Sequence, residues 1–156
     1  MNGRRLSALA PIALVVTLGG CGQRAPRVPA SSALPLVGGA GIVASARQCD
    51  PGANAFCALQ LVVTGSRYPS SGELLRSENR RLRQLGWTAT HADIGDERAA
   101  ESPGRRVRVT YATADGDLQG IEQGWIKRSR TIYLALDRTL FDRTPAISVM
   151  LEAGAS

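Results

Sequence analysis

The segment PSSGELLRSENRRLRQLGW, residues 69–87, reads as one helix set among segments of strand period. Ser70 followed by Glu73 has the spacing of a capping box, which gives the first backbone N–H groups an acceptor and so starts the helix. Leu75, Leu82 and Leu85 recur on one helical face, with Leu74 beside them. Gly86 supplies the left-handed residue that ends the last turn, from which Trp87 folds back. Upstream, CALQLVVTG (57–65) alternates Leu59, Leu61 and Val63 with Gln60, Val62 and Thr64. Downstream, RRVRVTYAT (105–113) sets Val107, Val109 and Tyr111 against Arg106, Arg108 and Thr110, and AISVMLEA (146–153) turns Ile147, Val149 and Leu151 inward.

The remaining segments are less regular. TATHADIGD (88–96) is a weaker strand, ERAAESPG (97–104) a polar loop and ADGDLQG (114–120) a turn. TIYLALDRTLFDR (131–143) satisfies both periods, because Ile132, Leu136 and Leu140 suit a helix while Ile132, Leu134 and Leu136 suit a strand. Its length and its exit through Asp142-Arg143-Thr144-Pro145 favour the helix. The order strand, helix, strand, strand, helix, strand predicts an α+β two-layer sandwich over residues 48–154. It would be a ferredoxin-like βαββαβ unit, its antiparallel sheet carrying both helices on one face.

The N-terminus has a different character. Arg4 and Arg5 precede an apolar run from Leu6 to Leu18, interrupted only by Ser7, Pro11 and Thr17. That run fits a secretory h-region of about 7–15 residues and is shorter than the ~20 residues of a membrane-spanning helix. It ends in Leu18-Gly19-Gly20-Cys21, which resembles the lipobox of bacterial membrane lipoproteins: an aliphatic residue, two small residues and a cysteine. The resemblance covers residues 1–21. It implies a signal peptide over 1–20, removed after the Cys21 thiol takes a diacylglycerol, and a palmitate-type anchor on the extracytoplasmic side of a bacterial cell membrane.

Three cysteines are an odd number for an exported chain. With Cys21 lipidated, Cys49 and Cys57 remain, and in CDPGANAFC the Pro51-Gly52 pair lets the chain double back between them. Outside the cytoplasm this pair is expected to form a disulfide, contributing roughly 2–3 kcal/mol through loop closure. Residues 21–47, rich in Pro, Ala and Gly and without an acidic residue, are expected to be a flexible tether. Its reach would be ~25–30 Å. Within it PLVGGAGIV is the one apolar island and a candidate edge strand, against which Gly38, Gly39 and Gly41 argue.

No constellation carries evident chemistry. His91 and Asp93 form an H-x-D on a short strand, and His91 is the one histidine, which removes the usual general base. Asp115-Gly116-Asp117 starts like a calcium loop, but position 126 is Ile126 where that loop needs Glu. Asp93, Asp96, Glu97 and Glu101 read as a solvated acidic stretch. The expectation is therefore no catalytic residue, no metal and no cofactor, with a small extracytoplasmic hydrolase or metal-dependent enzyme as the alternative.

Three groups of basic residues stand out: Arg76, Arg80 and Arg83 on one helix face, Arg106 and Arg108 on a strand, and Lys127, Arg128 and Arg130 in a loop. Without Arg4 and Arg5 the chain keeps 17 basic residues against 13 acidic, a mild excess that does not indicate nucleic acid. The expected function is a lipid-anchored lipoprotein with a small binding or structural domain. Its open sheet face, with Arg106, Arg108, Thr110, Ser148, Met150 and Glu152, would meet an envelope protein or anionic polymer. Two acyl chains, at about 0.8 kcal/mol per buried CH₂, would hold it firmly. Cys21→Ser is accordingly expected to abolish incorporation of labelled fatty acid and to release the protein or leave its signal uncleaved; persistent labelling would remove the lipobox reading.

Overall fold

Strand alternation places the layers. The structure, a computed structural model, describes residues 27–50, 56–90, 97–136 and 143–154. Strands β1 (Gly41–Asp50), β2 (Phe56–Thr64), β3 (Thr88–Ala89), β4 (Glu97–Glu101), β5 (Val107–Thr113) and β6 (Ala146–Ala153) form one sheet in the order β1-β2-β6-β5-β4-β3. Every neighbouring pair is antiparallel. The helices are α1 (Ser71–Gln84), α2 (Ala114–Glu122) and α3 (Arg130–Ala135). The chain is thus α+β, but the strand order is not the expected ferredoxin-like one. The closing strand β6 runs down the middle of the sheet, bonded to β2 on one side and β5 on the other.

The expectation of both helices on one face is also overturned. Leu59, Leu61 and Val63, Val109 and Tyr111, and Ile147, Val149 and Leu151 share a buried cluster with Leu74, Leu75 and Leu82 of α1. Successive residues point to opposite faces, and on the other face Val62 and Ala146 cluster with Ala114 and Leu118 of α2 and with Ile132 and Leu136 at α3. The sheet centre is therefore covered twice, which is why every residue from Ala58 to Val63 is buried. The segment read as a turn is α2. Thr113 caps it by accepting from the Gly116 N–H at 3.2 Å, and Asp115 and Asp117 in its first turn suit the positive end of a helix. ERAAE, read as loop, is β4, because Ala99 and Ala100 are small enough to bury beside β5.

Helix α1 follows its sequence signals closely. Ser70 accepts from the Glu73 N–H, and at the far end Trp87 and Gly86 donate to the Leu82 and Arg83 carbonyls, the paired bonds of a Schellman motif with Gly86 at φ +80°. The apolar stripe differs in one place: Leu85 is exposed and Trp87 buried. Arg130–Ala135 of the ambiguous segment is helical, while residues 137–142 lie outside the described residues.

Residues 27–47, part of the expected tether, belong to the folded domain. Gly38 and Gly39 make the turn that leads into β1 rather than breaking a strand, with Gly39 at φ +84°. From Gly41 the chain pairs with β2, where Cys49 lies directly opposite Cys57 and is disulfide-bonded to it. Upstream, Leu34 is buried in the α1 cluster and the Tyr68 hydroxyl donates to the Gly38 carbonyl at 2.8 Å. A few apolar anchors, Leu34, Leu36 and Val37, suffice to dock a segment whose Pro- and Gly-rich composition predicts a tether.

The docking also uses a buried acid. Glu78 lies in the leucine stripe, one turn from both Leu74 and Leu82, and its Oε2 accepts the Val37 N–H at 2.8 Å. Burial pushes its carboxyl above the usual carboxylate range, against the lowering effects of the Val37 N–H and the Arg81 charge. A carboxyl raised by folding holds its proton longer in the native state. Its stabilising contribution is complete below about pH 4 and is lost as pH rises through the folded value. Glu78→Gln keeps an acceptor for Val37 and carries no charge. It is expected to flatten that part of the pH profile in urea unfolding, with stability at pH 7 equal or higher. Glu78→Ala orphans the Val37 N–H and should cost about 1–3 kcal/mol. A Gln variant with the wild-type pH slope would show that another group is responsible.

Candidate binding groove

Beyond α2 and α3, part of the second sheet face is left open as a groove of about 410 Å³. Its floor comes from two rungs of the sheet. Gln48, Ala58, Glu152 and Arg108 lie side by side across β1, β2, β6 and β5, and Gln60, Met150 and Thr110 occupy the next rung. All but Ala58 line the groove, with Glu97 of β4 at one edge and Trp125, Ile126, Lys127 and Arg128 of the α2–α3 connection as its wall.

The wall is fastened to its surroundings. Gly124, at φ +76°, ends α2 in a second Schellman motif, in which Trp125 and Gly124 donate to the Gly120 and Ile121 carbonyls. Ile126 packs on Gly120 so closely that a Cβ there would lie 2.5 Å from its Cδ1. Two residues on, Arg128 forms a bidentate pair with Asp117 of α2, Nη2 to Oδ1 at 2.8 Å and Nε to Oδ2 at 3.1 Å. Asp117 is 1% exposed, so the pair is shielded from solvent. The connection ends on the sheet itself: the Ser129 N–H donates to Gln60 Oε1 at 3.0 Å, and Gln60 Nε2 donates to Gln48 Oε1. Ser129 then caps α3 by accepting the Ile132 N–H.

The residues expected on the open face divide. Arg108, Thr110, Met150 and Glu152 line the groove, and Lys127 and Arg128 join them from the loop. Ser148 is buried, because α2 covers that part of the sheet. Arg106 precedes β5 as an exposed residue of the Ser102–Arg106 turn and does not line the groove. Arg76 and Arg80 lie on α1, behind the opposite face, where both bind Glu73, at 2.9 and 3.0 Å. Those hydrogen bonds, from Arg80 first and then Arg76, hold the Glu73 carboxyl below the usual carboxylate range. Arg83 donates to Asn79. Cys21, His91, Asp93 and Asp96 lie outside the described residues. Among the described residues no group of three or more His, Cys, Asp and Glu side chains could hold a metal ion.

Sequence reasoning missed Gln48, Gln60 and Trp125. Gln60 had a signal, as a carboxamide in the middle of an otherwise apolar strand whose neighbours Leu59 and Leu61 face the other way. A larger depression of about 610 Å³ lies where α1 and α2 begin. Four of its hydroxyls are committed to the fold: Ser70, Ser71 and Thr113 accept from the Glu73, Ala146 and Gly116 N–H groups, and Tyr68 donates to the Gly38 carbonyl. Comparisons with protein-family models, curated proteins and solved structures find no match for this chain.

Removing one partner of a buried ion pair strands the other charge. Asp117→Asn is therefore expected to lower unfolding stability by about 3 kcal/mol. The double replacement Asp117→Leu with Arg128→Met should recover most of that loss in chemical denaturation. A single variant within 0.5 kcal/mol of wild type, roughly the effect of an ordinary surface change, would mean that the pair does not anchor the wall.

Proposed function

We propose that this chain is a lipid-anchored lipoprotein on the extracytoplasmic side of a bacterial cell membrane, and that its domain binds an envelope component in the groove. The anchor rests on Arg4, Arg5, the apolar run and the Leu18–Cys21 lipobox. The Cys49–Cys57 bridge agrees with an oxidising compartment. The groove carries the binding half. Five strands contribute to its floor and edge, and its wall is tied to both the sheet and α2. A cleft with a few fixed polar groups, held by regular elements, is the usual form of a recognition site. The reading is binding rather than catalysis, with Arg108 as the expected basic contact and Arg106 outside it.

The test uses detergent-solubilised full-length protein and lipid-extracted envelope, so that the anchor makes no contribution. Thr110→Trp fills the groove floor and Arg108→Glu reverses its charge. Both are expected to weaken association about tenfold, as loss of a central contact does, while Arg106→Glu leaves it unchanged. Wild-type association by a folded Thr110→Trp variant would overturn the reading.

A further inference from the structure

The chain contains two tryptophans, Trp87 and Trp125. Both follow a positive-φ glycine and occupy the same position in a Schellman motif, at the ends of α1 and α2. In that motif the residue after the glycine ordinarily packs against the residue whose carbonyl it caps. Trp87 fits this: it shares a buried cluster with Leu82 and is 7% exposed. Trp125 departs from it. The residue it caps is Gly120, which offers no side chain, and Ile126 takes the space above that glycine. The Trp125 indole is left 81% exposed at the wall of the groove, on a backbone fixed by the helix cap and by the anchored residues that follow. The fold draws little packing from it, so its place at the wall calls for a ligand.

Resting on the groove reading above, we propose that the ligand is an oligosaccharide, with one pyranose ring stacked on Trp125 and its hydroxyls bound along the floor. The aliphatic C–H face of a sugar ring carries small positive charges that suit the negative face of an indole. A rigid, exposed Trp gives that contact at little entropic cost. The lining beside it supplies polar groups of both kinds: the carboxylates of Glu97 and Glu152, the Gln48 carboxamide, the Arg108 guanidinium and the Thr110 hydroxyl, with Gln60 already committed to Ser129 and Gln48. Neighbouring sugar hydroxyls each donate and accept, and planar groups with paired atoms match them.

The other ligand classes fit less well. Arg128 is paired with Asp117, and the other two basic lining residues, Arg108 and Lys127, share the groove with two acidic ones, Glu97 and Glu152, a balance that does not favour a polyanion. Apart from Trp125, Met150 and Ile126 are the main apolar lining, too little to enclose an acyl chain. A peptide seated here would lie on a sheet face whose strands are already bonded to their neighbours, so it could not add main-chain hydrogen bonds to the sheet. The volume falls in the range of small-molecule sites, about 300–1,000 Å³.

The test titrates full-length protein in detergent with two neutral probes, hexamers of β-1,4-linked N-acetylglucosamine and of β-1,4-linked glucose, and with heparin as a polyanion. Saturable binding of at least one hexamer is expected, with a change in tryptophan emission. Trp125→Ala should weaken it at least about tenfold, a loss of one well-stacked ring, and Trp125→Tyr should restore most of it. An exposed side chain makes these variants safe for the fold, and unchanged urea unfolding verifies that. Two results overturn the proposal: no saturable binding of any hexamer up to ~10 mM, or heparin binding that Trp125→Ala leaves intact. If Thr110→Trp still abolishes envelope association in that case, the groove reading stands and only the sugar is wrong.

Discussion

Strand β6 is what the rest of the molecule depends on. It is the last strand in the chain and lies between β2 and β5, so the first hairpin and the β5–β4–β3 half of the sheet meet only across it. Its alternate residues enter two cores, Ile147, Val149 and Leu151 against α1 and Ala146 against α2 and α3. From Ala146 to Val149 the strand is buried on both faces, and its second face becomes partly exposed where the cover ends. Met150 and Glu152 mark that place, and the groove begins there. The topology also makes the decisive pairings long-range: Leu61 opposite Val149 joins residues far apart in the chain. Loop closure of that kind must precede most of the stabilising contacts, which is the ordinary reason such sheets fold slowly.

The groove exists because α2 and α3 are short. Together they cover one end of the second face over β5, β6, β2 and β1, and the connection between them closes one side of what is left. Its position is set by three kinds of contact with different physics: a helix cap that requires Gly124, a shielded ion pair between Arg128 and Asp117, and a carboxamide relay from Gln48 through Gln60 to Ser129. The first two tie the wall to α2 and the third ties it to the sheet, so the side chains that face the groove are held relative to one another. Polar groups buried in this way are costly unless they are paired, and here the pairing fixes a surface.

Two acidic side chains are buried among the described residues, and their partners differ. Asp117 has a bidentate guanidinium, whereas Glu78 receives one backbone N–H and the more distant influence of Arg81. Desolvation dominates at Glu78, and its carboxyl is raised. Both sit on the buried face of a helix, where a sequence pattern records only that an acidic residue interrupts the apolar stripe.

Local rules determined much of this protein from sequence alone. Helix α1 was legible with both its caps, because Ser70, Glu73 and Gly86 act within a few residues of where they stand. The inward faces of β2, β5 and β6 were legible because alternation is a property of a single strand, and the Cys49–Cys57 pairing because setting Cys21 aside for the expected lipid leaves this pair. What only the tertiary structure decided is non-local. Gly-rich residues 38–41 entering β1, ERAAE joining the sheet as β4 and ADGDLQG becoming α2 all depend on neighbours that supply burial and hydrogen bonds. The same holds for the strand order and for helices on both faces, which follow from where β6 inserts. Of the groove, Arg108, Thr110, Met150 and Glu152 were readable as one face of two strands. Gln48, Gln60 and Trp125 were not, since only the packed sheet brings β1, β2 and the α2–α3 connection to the same place.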